Sequence, residues 1–177
     1  MRRIRLFVVL TTGLFTLATA VSASAATSGG TPATVTVQGG SLSITVPTGA
    51  GNLQSGPNAV GGMTLSGALG QVQVTDARSA AAGSGWVTSV IATAFTPSTG
   101  PAIPASNVSY TAGAIAKVGT ATYTANDPTG IAGVSAAVTA TGITGDNSAT
   151  WNPTISVFVA GGMAAGVYSA TITHSVV

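Results

Sequence analysis

Between Trp151 and Val177 apolar residues fall at every second position, and the run is interrupted by a glycine-rich stretch. Ile155, Val157 and Val159 form its first half, and Tyr168, Ala170, Ile172, His174 and Val176 its second. A two-residue period puts one set of side chains on one face of a β-strand. The intervening Ser169, Thr171, Thr173 and Ser175 are small and hydroxylic, which suits a solvated face, and β-branched threonine favours strand over helix. Gly161, Gly162 and Gly166 supply the positive φ angles a connection needs, so the pattern predicts a β-hairpin ending the chain. His174 is the one polar ring in the apolar row.

Similar runs fill the preceding sequence. Val35 and Val37, then Leu42, Ile44 and Val46 beyond Gly39-Gly40, read as consecutive antiparallel strands, with the Gly- and Pro-containing segment 48–62 as a loop. Met63, Leu65, Leu69, Val72 and Val74 lead into another strand ending at Arg78. Asp76 and Arg78 share a side of an extended chain, which predicts a surface ion pair worth at most about 1 kcal/mol. The small residues 79–85 read as a loop. Trp86 to Phe95 is apolar on both sides and predicts a central strand. Ile103 to Tyr110 reads as extended, and within it Asn107-Val108-Ser109 fits a glycosylation acceptor. Residues 114–123 and 134–141 read as strands, the second despite its alanines because Val134, Val138, Thr139 and Thr141 lie between glycines. No amphipathic helical stretch follows residue 25. The expected fold is all-β: one antiparallel β-sandwich of Ig-like or Greek-key type over residues 34–177, behind a flexible lead-in at 26–33.

The N-terminus predicts the compartment. Arg2, Arg3 and Arg5 precede a mostly apolar run from Leu6 to Val21, and Ala23-Ser24-Ala25 has the small residues of a cleavage site. That order is a secretory signal peptide over residues 1–25. Its removal leaves Arg78 and Lys117 against Asp76, Asp127 and Asp146, two cations against three carboxylates and a formal charge of −1. Nucleic-acid binding, which needs clustered Lys and Arg, is without support. Cysteine is absent, so burial alone must hold the domain, and the length suffices for one core.

Few residues could carry chemistry. With no glutamate, no cysteine and a single histidine, a Ser-His-Asp arrangement has to use His174, and no glycine-framed serine elbow accompanies it. One histidine cannot make a zinc site. Asn126-Asp127 and Asp146-Asn147 could contribute to a calcium loop but read first as turn residues. The expectation is no catalytic residue, no metal and no cofactor. Trp86 and Trp151 read as core residues at strand entrances, with stacking on sugars as the functional alternative.

Gly85-Trp86-Val87-Thr88-Ser89-Val90, followed by Phe95 and Ile103-Pro104-Ala105-Ser106, and then Asn152 to Ile155 and Ala165 to Val176, resemble the WxL domain of Gram-positive surface proteins, in an actinobacterial-type form. The likeness runs over residues 40–177. Trp86 stands at the first motif's tryptophan and Thr88 at its leucine. In the second motif Tyr168 matches, His174 stands at the tryptophan and Val176 at the leucine. The resemblance implies a secreted, non-enzymatic β-rich module associating non-covalently with the cell wall through peptidoglycan. Trp86, Trp151, Tyr168 and His174 are then the candidate ligand-binding residues. A different reading also follows from the composition. Strand edges without guarding charges are open to pairing, which suits a structural subunit that self-assembles or joins other surface proteins. An inward His174 should have its pKa lowered by desolvation.

Overall fold

The computed structural model describes residues 31–57 and 59–177. The predicted signal peptide and the lead-in up to residue 30 lie outside the described residues. Val37–Val177 forms one compact unit. Residues 31–36 hold no strand, and the strands belong to that unit.

Ten strands occur among the described residues: β1 Leu42–Thr45, β2 Met63–Ala68, β3 Val72–Ala92, β4 Thr96–Pro97, β5 Val108–Thr111, β6 Ala116–Ala125, β7 Ser135–Trp151, β8 Thr154–Val159, β9 Tyr168–Ser169 and β10 Ile172–Val176. The helical exception is a 3₁₀ turn, Ala105–Asn107. The larger sheet runs β1-β3-β7-β6, with β10 also on β3; a second runs β2-β8-β5, and β4 and β9 pair separately. Every strand pair is antiparallel. The sheets pack over a common core that takes Val72, Val74, Trp86 and Val90 from β3, Val138, Ile143 and Trp151 from β7, Tyr110 from β5 and Ile155 and Val157 from β8. The chain is an all-β antiparallel sandwich, as its alternation predicts.

β3 organises the larger sheet. Its first part pairs with β1, from Thr45↔Gln73 to Leu42↔Asp76, and its last part with β10, from Val176↔Thr88 to Ile172↔Ala92. β7 runs along its other side. This central position agrees with the apolar character of residues 86–95. Residues 79–85, expected as a loop, instead belong to β3. Register shifts against β7 fall between Asp76 and Trp86, and Ser79 and Gly83 have φ of 52° and 89°. Small residues let the strand bulge there without leaving the ladder.

Three further expectations are corrected. The C-terminal hairpin does not form: β8 has β2 on one side and β5 on the other, while β10 joins β3 in the other sheet. With both edges of β8 occupied, the glycine-rich segment carries the chain from one sheet to the other. The run from Met63 to Arg78 is likewise two strands in different sheets, separated at 69–71. Val35 and Val37 form no strand and are 90% and 78% exposed.

Candidate functional site

Trp86 and Trp151 are each 2% exposed, so neither presents a ring face to a ligand. This corrects the sugar-stacking alternative for both. Neither begins a strand: Trp86 lies within β3 and Trp151 ends β7. Each indole N–H has a buried acceptor, as an apolar interior demands. Trp86 Nε1 donates to Asn147 Oδ1 at 3.3 Å and Trp151 Nε1 to the Tyr110 hydroxyl at 2.7 Å.

Around Trp86 the polar groups form one cluster. The Tyr123 hydroxyl also donates to Asn147 Oδ1, at 3.0 Å, and its ring lies 5.5 Å from that of Trp86. Burial raises the Tyr123 pKa, with the Asp76 charge adding to the effect. Asp76 is opposite Asn147 in the β3–β7 register. Its carboxylate accepts from Arg78 Nε and Nη2, both at 2.8 Å, and from the Arg78 amide at 3.1 Å. The predicted ion pair therefore forms, but Asp76 is fully buried while the Arg78 side chain is 37% exposed, so it is not a surface pair. The Arg78 hydrogen bonds hold the Asp76 pKa below 3.8 against the opposing desolvation of burial.

The second cluster joins the two sheets. Tyr110 on β5 receives the Trp151 N–H and lies 3.3 Å from Nε2 of His174 on β10. Indole can only donate, so the Tyr110 hydroxyl accepts from Trp151 and shares a further hydrogen bond with His174 Nε2. The rings meet edge to face with centroids 5.5 Å apart. Burial pushes the Tyr110 pKa up to about 12 and the His174 pKa down to about 4.

His174 also faces a groove of about 950 Å³, and Tyr168 lines the same groove. Met63 and Leu65 of β2, Val157 and Val159 of β8, Phe95 and Ile172 line it. Loops 46–57 and 163–171 form its rim. Gly67 makes the first loop's approach possible, because a Cβ there would run into the Leu53 backbone. Ser66 N–H donates to Gln54 Oε1 at 2.8 Å and holds that loop over β2. The Tyr168 hydroxyl donates to the Ala164 carbonyl at 2.9 Å and holds the second. Among the described residues, no lysine, arginine or carboxylate lines the groove. Its volume and largely apolar lining are those of a ligand pocket.

Of the four residues named from sequence, the groove unites Tyr168 and His174 and excludes Trp86 and Trp151. Sequence reasoning missed Tyr110, whose signal was its buried alternation with Val108, and the loop 46–57, whose Gly and Pro residues marked a connection but not what it covers. The turn-like aspartates act as acceptors: Asp127 Oδ1 for Ala112 N–H at 2.8 Å and Asp146 Oδ1 for Ser79 N–H at 2.9 Å.

The two motif-like segments meet in space. Val176 is opposite Thr88, and Val87 and Val177 exchange backbone hydrogen bonds of 2.9 and 3.0 Å. Thr88, at the leucine position, is fully buried; its hydroxyl donates to the Val138 carbonyl at 3.2 Å and accepts from the Val138 N–H at 3.0 Å. It spans the register shift beside Ser89, a task leucine could not perform. No protein-family profile, curated protein or solved structure matches this chain.

Proposed function

We propose that this chain is a secreted, non-catalytic surface protein that associates non-covalently with the Gram-positive cell wall, with the groove around Tyr168 and His174 as its contact with peptidoglycan or another wall polymer. The observation that carries the reading is register: the segments resembling the two WxL motifs, distant in sequence, are hydrogen-bonded neighbours on β3 and β10. The groove lies beside them. Its uncharged lining favours a neutral face of the polymer, with sugar rings against Phe95 and Tyr168. His174 is engaged by Tyr110 and, among the described residues, no carboxylate lines the groove, which supports binding without turnover. The N-terminal pattern Arg2 to Ala25 supports secretion.

Sedimentation of the secreted chain, residues 26–177, with purified Gram-positive peptidoglycan tests the reading. Wild type and a Tyr168→Phe variant are expected in the pellet and folded Tyr168→Ala in the supernatant. A wild type that stays in solution, or a Tyr168→Ala variant that pellets equally well, sinks the proposal.

A further inference from the structure

The segment Thr34 to Gln38 carries a strand sequence without a strand. Threonine and valine alternate through Thr34-Val35-Thr36-Val37, both valines are exposed, and no backbone hydrogen bond to residues 31–38 occurs among the described residues. Gly40, by contrast, is tied down, its N–H donating to the Ala77 carbonyl. Five extended residues span about 17 Å.

The β6 edge offers what this segment lacks. The β2 edge is covered where Ser66 N–H meets Gln54, and the β5 edge where Tyr110 and Gly130 N–H donate to Pro128 and Val108 carbonyls. β6 pairs with β7 on one side and, among the described residues, carries no strand on the other. Its first half is broken by a bulge at Gly119, with φ of 87°, but Thr122 to Ala125 keeps an unbroken register with β7. The single charge on β6, Lys117, precedes the bulge, so the regular run has no guarding charge. A shallow pocket of about 310 Å³, lined by Gly113, Ile115, Lys117, Tyr123 and Ala125, opens along the same edge.

We propose that Thr34–Gln38 of one copy adds as an edge strand to Thr122–Ala125 of a second, with Val35 and Val37, which share a strand face, entering that pocket. Backbone hydrogen bonds supply the affinity and the pocket the selectivity, as in strand addition generally. Donor and acceptor are different surfaces of the same chain, so the contact is heterologous and repeats head to tail. The inference is independent of wall binding.

Sedimentation velocity of the secreted chain from micromolar to millimolar concentration tests it, beside a Val35→Pro/Val37→Pro donor variant and a Thr122→Lys/Thr124→Lys edge variant. The wild type is expected to grow into a concentration-dependent series of oligomers. Each variant is expected to remain monomeric with the wild-type melting temperature, and their mixture to stop at a one-to-one complex through the donor and edge each retains. A synthetic peptide of residues 31–40 should cap growth of the wild type, a result independent of how the variants fold. A wild type monomeric at every concentration, a donor variant that polymerises like wild type, or a peptide without effect overturns the proposal.

Discussion

Lowering the pH from 7 to 5 should destabilise this protein through His174 alone. Burial lowers the folded-state pKa of the ring from 6.5 to about 4. Because the unfolded histidine takes up a proton first, the stability present above about pH 6.5 is lost as the pH falls toward the folded value. At 1.36 kcal/mol per unit, the loss is about 2 kcal/mol at pH 5 and approaches about 3 kcal/mol near pH 4. For a domain of this size 2 kcal/mol corresponds to roughly 4–8 °C in Tm. The structural cause is burial of the ring beside Tyr110, which disfavours the charged form. The assay is thermal and urea unfolding at both pH values, with NMR titration of the single imidazole. His174→Gln retains a hydrogen-bond partner for Tyr110 and should show almost no change between pH 7 and 5. A wild type equally stable at the two values, with an imidazole titrating near 6.5, refutes the reasoning.

Other outcomes follow from the same geometry. Thr88→Val keeps the shape but removes the hydroxyl that Val138 N–H and C=O both bond, and should cost on the order of 2 kcal/mol by urea unfolding. Asp76→Asn should cost about 2 kcal/mol at neutral pH. Wild-type stability from this pair is held above pH 3.8 and lost as the pH falls through the lower folded value; that acid limb should vanish in the variant. Gly67→Ala drives a methyl into the Leu53 backbone, so it should cost about 1–3 kcal/mol in unfolding experiments and weaken pelleting with wall by displacing loop 46–57.

The fold class was legible because alternation survives wherever one face of a strand is buried. Residues 135–141 show this, since their β-branched residues and flanking glycines outweighed the alanines, although β7 runs on to Trp151. Pairing was not legible. Ile155-Val157-Val159 and Ile172-His174-Val176 carry the same pattern, yet alternation records which face is buried and not which strand lies alongside. β8 is claimed by β2 and β5 from far upstream, and no local signal competes with that. Val35 and Val37 show the converse, a strand pattern with no partner in its own chain among the described residues. As for the site, Tyr168 and His174 were found by motif resemblance, but the groove around them depends on Gly67 admitting the Leu53 backbone, a tertiary contact with no periodicity.

The central claim is that the groove holds the wall polymer, and hydrogen–deuterium exchange on wall-bound protein tests it most directly. Binding there should slow exchange in segments 46–57 and 163–171 relative to free protein and leave Thr122 to Ala125 unchanged. Protection confined to other surfaces, or no uptake by the wall at all, would contradict the account.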